Sequence, residues 1–296
     1  ALTNLDAVYN SGKHGLNDSY ERVFVNMCEL TLEPKENMYE IQFYNPTGED
    51  KNSSMMGAYN GPLVDDKSAP IGRANSFIKT NCFFYDTYLT NDLRRDVAIA
   101  TFQIKAGVIT QYNRRQHVNW APGKWRRNWQ TGAAKNVNNT DVNVVLLRYS
   151  DILLMKAEVE NELNNAPNAA AIECMNQVKR RAFGKPYLTA DATIDYQLSD
   201  FATKEDLFEE IVDERARELC FEGHRRMDLI RWNLLYDKIQ QTGQKFKDMV
   251  AAGQMGAFTF TAADLFTHGK HELYPVPAYD MRETGNIWDQ NPGYTK

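Results

Sequence analysis

The chain has 296 residues, 43% hydrophobic and 25% charged, a composition that excludes disorder and supplies one large core or two modest ones. Lys and Arg total 34 against 39 Asp and Glu, so the net charge is −5 and the basic excess of a nucleic-acid binder is absent. No apolar run approaches the roughly 18 residues of a membrane-crossing helix.

Residues 1–10 read as the last turns of a helix that Gly12 stops. So short a helix is marginal alone. The expectation is therefore that an N-terminal part lies outside this sequence, together with any signal peptide or lipid-anchor cysteine. Cys28, Cys82, Cys174 and Cys220 form no Cys-x-x-Cys pair, which argues against a zinc or thioredoxin-type centre and makes buried free thiols the default. A disulfide in an oxidising compartment stays open, with its pairing undecided.

Between Glu40 and Thr140 the composition favours strands and long loops. Glu40–Tyr44 and Val97–Ile104 read as strands, and Asn45–Ala74, rich in Gly, Asn, Pro and Ser, reads as one long loop. Tyr44 stands at its start, Tyr59, Asn60 and Arg73 within it, and Asn75 just beyond. A loop of this length is either functional or a mobile surface segment. Further on, Arg114, Arg115, Lys124, Arg126, Arg127 and Lys135 interleave with Tyr112, Trp120, Trp125 and Trp129. That pattern fits a polyanion surface, but the net negative charge favours duller readings: residues covering acidic helices, or a partner-facing surface.

After Asp141 the period becomes helical. Ile152, Met155, Lys156, Val159 and Leu163 mark the inner face of one helix; Ala171, Met175, Val178 and Ala182 mark that of a second, which begins near Pro167 and ends at Gly184 and Pro186. Two such helices joined by a short loop make a hairpin of tetratricopeptide length. A third helix is expected over Glu205–Phe221 and a fourth over His224–Ile239, separated by Gly223. Asp213 with Arg217, Glu222 with Arg226 and Asp228 with Arg231 lie at spacings that meet on one helix face. An arginine near every acid favours a structural ion network over a poised acid–base pair.

Three blocks carry a resemblance. They are Leu147-Arg148-Tyr149-Ser150-Asp151 through Glu158; Glu214-Arg215, Glu218-Leu219 and Glu222-Gly223-His224-Arg225 to Arg231-Trp232; and Leu273-Tyr274-Pro275-Val276-Pro277, Asn286 and Gln290-Asn291-Pro292-Gly293-Tyr294. Residues 10–16 and 91–96 are weaker landmarks. In order and spacing the chain resembles the C-terminal portion of the SusD/RagB family, outer-membrane glycan-binding lipoproteins of Bacteroidetes.

The resemblance implies a mainly α fold, a tetratricopeptide-like helical superhelix with a loop-rich, short-strand region packed on it. It further implies a single domain over 1–296 that lacks its N-terminal part, loop-rich over 1–140 and helical over 141–296, with a docked C-terminal tail. Implied partners are an oligosaccharide or polysaccharide and a SusC-like TonB-dependent transporter. Nucleic acid is not implied, and the membrane is reached only through a lipid anchor absent from this sequence. Implied location is the bacterial outer membrane, at the cell surface, in polysaccharide utilisation.

Sugar recognition needs aromatic faces for C–H-rich ring surfaces and nearby amide or guanidinium groups for hydroxyls. Family members present ligand aromatics from the first loop region, which makes Tyr44, Tyr59, Asn60, Arg73, Asn75 and Phe77 the candidate ligand-binding residues. A transporter-docking subunit for a non-glycan nutrient such as peptide is the alternative, and a glycoside hydrolase, whose carboxylates have no fixed local motif, is the third. His268-Gly269-Lys270-His271-Glu272 has two histidines at metal-like spacing, but Gly269 disfavours a helix and no third ligand is indicated. There is no Gly-x-Ser-x-Gly elbow, phosphate-binding loop or Asp-rich calcium loop. A non-catalytic protein without cofactor or metal is therefore expected.

Overall fold

The computed structural model describes residues 1–44, 53–65, 67, 71–131, 139–285 and 287–295. The chain divides into two units, Ala1–Glu222 and Gly223–Lys296.

In the first unit, α1 (Leu2–Ser11) ends where expected, at Gly12 with φ 62°. α2 (Tyr20–Cys28) starts at Ser19, whose side chain accepts the Arg22 N–H. β1 (Asn37–Ile41) begins and ends earlier than the Glu40–Tyr44 reading. Beyond Ile41 the Phe43 N–H goes to the Asn143 side chain, at 3.0 Å, instead of to a strand. Next come α3 (Cys82–Tyr85) and α4 (Arg94–Ala98), then β2 (Ile99–Ala100) and β3 (Phe102–Lys105). The single strand expected over Val97–Ile104 is thus divided. The Asp92 carboxylate accepts the Arg94 N–H at 2.9 Å and holds the chain in a helical turn up to Ala98.

β3 pairs with β4 (Val108–Gln111) through Ala106 and Gly107, both at positive φ, as a tight two-residue hairpin requires. β2 pairs with β5 (Ala121–Pro122), and β1 with β6 (Val144–Arg148), all antiparallel. The long loop read over Asn45–Ala74 is in part tied down. Val64 bridges both Ala74 and Ile104, and with Ala100 and Phe102 these form a small core of their own. Residues 45–52, 66 and 68–70 lie outside the described residues.

β6 leads directly into α5 (Tyr149–Asn164), which packs on α1, on α6 (Ala169–Ala182) and on α7 (Lys204–Leu219). Neighbours on three sides explain why the inner face of α5 departs from a single stripe: Leu153, Leu154 and Ala157 are fully buried, whereas Leu163 is 67% exposed. On α6 the expected Ala171, Met175, Val178 and Ala182 are all fully buried. Asn168 caps α6 through the Ala171 N–H, and Thr203 with Asp206 forms a capping box on α7. The four cysteines are buried and free.

The ion network exists, but in this unit its partners are not the ones helix spacing suggested. Glu218 of α7 is fully buried and meets Arg181 at 2.6 Å, Arg148 at 3.1 Å and Arg94 at 3.1 Å. Arg148 and Arg181 share Glu36, Arg94 also holds Asp92 and Glu214, and Glu222 is held by Arg148 and Lys124. Arg217 pairs with Glu210 and Glu214 rather than with Asp213. Burial alone would raise the Glu218 carboxyl; the guanidiniums of Arg181, Arg148 and Arg94 outweigh it and hold it far below the usual carboxylate range.

In the second unit the helix expected over His224–Ile239 is two. α8 (His224–Arg231) stops before Asn233, whose φ of 58° reverses the chain, and α9 (Leu235–Ala251) restarts after it. Here Asp228 does pair with Arg231, at 2.9 Å. Two short helices follow, α10 (Thr261–Leu265) and α11 (Ala278–Glu283). The tail is docked: the Gln290 side chain bonds both the N–H and C=O of Val276, Asn291 Nδ2 donates to the Tyr274 carbonyl, and the Tyr294 hydroxyl donates to that of Leu273.

Candidate functional site

The turn Gly57-Ala58-Tyr59-Asn60-Gly61 sits on the backbone of Trp125. A Cβ on Gly57 would lie 2.5 Å from the Trp125 carbonyl oxygen, and one on Gly61 2.8 Å from the same atom, so both positions need glycine. Asn60 is spent inside this turn. Its Oδ1 accepts the Gly57 N–H at 2.7 Å, and its side chain is buried.

With the turn anchored below, Tyr59 stands at the surface against the segment 75–78. The Ala58 carbonyl accepts the Asn75 N–H at 2.7 Å, and the Tyr59 carbonyl accepts those of Phe77 at 2.8 Å and Ile78 at 3.3 Å. Between them Ser76 is buried at a φ of 54°, a left-handed conformation unusual outside glycine. Its Oγ accepts from Lys79 Nζ at 2.8 Å. This bend turns Phe77 outward, 67% exposed, with its ring centre 5.1 Å from that of Tyr59 and tilted 50° to it. The result is a two-ring aromatic platform flanked by the half-buried Asn75, with Arg73 exposed two residues upstream.

Tyr44 is placed differently. It is 72% exposed on the rim of a cleft of about 300 Å³ that none of the other five candidates lines. Leu30, Leu32 and Phe43 give this cleft apolar walls, and Glu40 and Asn143, joined at 2.9 Å, give it a carboxylate and an amide. Sequence reasoning did not find Glu40 or Asn143 as lining residues, because they meet only through the β1–β6 pairing. Both clusters offer flat apolar surface beside hydrogen-bonding groups, the combination that binds sugar rings.

The basic and aromatic stretch does not form a polyanion track. Lys124 and Arg127 are buried with Trp120 and Trp125, and Lys124 donates to the Glu218 carbonyl at 3.0 Å. Arg126 lies over the Trp129 ring at 4.3 Å, and Arg114 pairs with Asp86. Lys124 covers the acidic end of α7 and Arg114 closes an ion pair, while Arg126 donates to the Gly123 carbonyl and Arg127 to the Gln130 side chain and the Asn139 carbonyl; Lys135 lies outside the described residues. In the second unit His268 stacks on Tyr236 at 4.9 Å, and His271 Nδ1 accepts the Thr267 N–H at 2.8 Å. Among the described residues no group of three or more His, Cys, Asp or Glu is placed to hold a metal ion, and no helix is long and apolar enough to cross a membrane.

Residues 43–294 match the model of the SusD family. SusD-like protein P25 of Formosa agariphila is 38% identical over 109 residues, 37% of this chain and 19% of that protein. SusD-like protein P2 of the same organism is 23% identical over 258 residues, 83% of this chain and 45% of its own length. A SusD homolog from Bacteroides thetaiotaomicron superposes with a TM-score of 0.89 at 29% identity, covering 99% of this chain and 58% of its own. Surface glycan-binding protein A from Bacteroides thetaiotaomicron, solved in complex with laminarihexaose, shares the fold at a TM-score of 0.66 and 19% identity, with 98% and 58% covered. The chain therefore spans less than two thirds of the length of these relatives. Its mainly helical fold and the extent of the family match lead to one assignment: this chain belongs to the SusD family.

Proposed function

We propose that this chain is the glycan-binding portion of a non-catalytic surface lipoprotein that captures an oligosaccharide and delivers it to a TonB-dependent outer-membrane transporter. The observation that carries this reading is the pairing of the exposed Phe77 ring with the half-buried Tyr59 ring, set by a turn that needs two glycines and by the left-handed Ser76. A large apolar ring such as Phe77 kept in water costs free energy unless a partner covers it. A sugar ring, with one apolar C–H face and hydroxyl edges, suits such a platform. One structural neighbour was solved with laminarihexaose and another is a laminarin binding SusD-like protein, so laminarin oligosaccharides are the first probes.

The test is calorimetric titration of the protein with a panel of oligosaccharides, laminarihexaose first, beside Tyr59→Ala and Phe77→Ala. Each substitution is expected to weaken binding by about tenfold or more, the loss of roughly 1–2 kcal/mol of aromatic contact, with an unchanged melting temperature. Affinity untouched by both would move the site to the Tyr44 cleft or elsewhere. Failure of every oligosaccharide, with a peptide bound instead, would replace glycan capture by the peptide-nutrient reading.

A further inference from the structure

Away from the aromatic platform, the first unit holds a second cleft, of about 230 Å³, where the C-terminal end of α6 meets α7 and the turn before α4. Its polar wall is formed by Lys179, Glu210 and Arg217, and its apolar wall by Phe183, Leu89 and the ring of Tyr196. The wall is rigid. The Asn176 side chain bonds the N–H and C=O of Tyr196, the Tyr196 hydroxyl donates to Glu210 at 2.6 Å, and Arg217 is tied to Glu210 and Glu214.

Lys179 is the exception within it. Its ammonium lies 3.4 Å from the centre of the Tyr196 ring and makes no hydrogen bond or ion pair among the described residues. Burial lowers its pKa, and the more distant charges of Glu214 and Glu210 work against that. Across the lining, Arg94, Lys179 and Arg217 are matched one for one by Asp92, Glu210 and Glu214. Charge in the cleft is balanced, while the hydrogen-bonding capacity of Lys179 is not used. One Glu210 oxygen takes both the Tyr196 hydroxyl and Arg217, which leaves the other to accept from a ligand.

A charged ligand would gain little in a lining that is already neutral, and one oxyanion would face two glutamates. A hydroxyl can accept from the Lys179 ammonium and donate to Glu210, while a C–H face rests on Phe183 and Leu89. The volume lies below the ~300–1,000 Å³ of pockets for drug-sized ligands, which restricts the occupant to a single ring. From this geometry we infer that the Lys179–Glu210 cleft is a separate binding site for one neutral pyranose unit, read through adjacent hydroxyls. The site shares no residue with the Tyr59–Phe77 platform and stands whether or not that platform binds glycan.

The experiment follows the side-chain ammonium resonances of ¹⁵N-lysine-labelled protein during titration with methyl glucopyranoside, galactopyranoside and mannopyranoside, and with acetate. Lys179→Met, Phe77→Ala and the unsubstituted protein are compared. At least one pyranoside is expected to shift the Lys179 signal saturably, and equally in Phe77→Ala; Lys179→Met lacks that signal, so its affinity is read by calorimetric titration with the same pyranoside and is expected to be about tenfold weaker, as loss of a hydrogen bond to a charged group predicts. Should Lys179→Met fail to fold, Glu210→Gln removes the acceptor charge at similar volume and is expected to weaken binding likewise. The inference is overturned if no pyranoside moves the Lys179 signal, if acetate alone does, or if the calorimetric affinity of Lys179→Met equals that of the unsubstituted protein. Loss of oligosaccharide binding in Phe77→Ala with the Lys179 response intact separates the two sites.

Discussion

Ser76 is a small side chain in a backbone conformation that costs a non-glycine residue roughly 1–3 kcal/mol. The surrounding bonds hold it there: Asn75 and Phe77 are tied to Ala58 and Tyr59, and its hydroxyl accepts from Lys79. A β-branched residue is worse at positive φ, and its extra methyl would enter a fully packed site. Ser76→Val is therefore expected to lower stability by about 2 kcal/mol or more and to weaken glycan binding beside it. Ser76→Gly should keep the melting temperature within a few degrees. Equal behaviour of the two in thermal denaturation would remove the backbone argument. None of this was legible in the sequence, where Ser76 is one polar residue in a run of loop composition. Tyr59 and Phe77 were legible as residue types; their pairing was not, because it depends on backbone bonds between segments that only the fold aligns.

Core positions were legible in full on α6 and in part on α5. The four expected core residues of α6 are all fully buried, among ten buried residues in that helix. α5 is enclosed by three helices, so its apolar positions spread round the cylinder: a 3.6-residue period finds the buried Ile152 and Lys156 and the half-buried Met155 and Val159, but misses Leu153, Leu154 and Ala157 and takes in the exposed Leu163. The helix ends carry their own information. Thr203 accepts the Asp206 N–H, and Asp206 in turn accepts the Thr203 N–H, which satisfies two of the donors a helix start leaves open. Thr203→Ala is expected to cost about 1 kcal/mol, whereas Thr203→Ser should be nearly silent. Urea denaturation of both variants checks this, and a neutral alanine variant would mean that α7 is fixed by its ion pairs alone.

Across the first unit, the same ion pairs join segments up to 145 residues apart in sequence, such as Glu36 and Arg181. Spacing along one helix cannot reveal such partners, which is why the network was foreseen with Arg217 and Glu222 in it, while of the expected pairs only Asp228 with Arg231, in the second unit, is found among the described residues. Glu218→Gln removes one charge from the centre and leaves three guanidiniums undercompensated, at an expected cost of about 3–5 kcal/mol. A loss under about 1 kcal/mol would show that the remaining carboxylates absorb the change. The pH dependence has a definite sign. Glu214, Glu218 and Glu222 are each held below their ordinary range by facing cations that outweigh burial. They stabilise the fold fully above the unfolded carboxylate value of about 4.3, and that stability is lost as pH falls through the depressed folded values. The urea midpoint should hold down to about pH 5 and then fall, and the fall should be shallower in Glu218→Gln.

The placement of Glu214, Glu218 and Glu222 late in the first unit also sets an order of events during synthesis. Until α7 has left the ribosome, Arg94, Arg148 and Arg181 have only Asp92 and Glu36 among these carboxylates to meet. Guanidiniums resist dehydration without a full set of partners, so Arg94, Arg148 and Arg181 are expected to stay solvated until then. Closure of the arginine-lined core is therefore expected to wait for this one helix, and limited proteolysis of chains ending before and after α7 checks it.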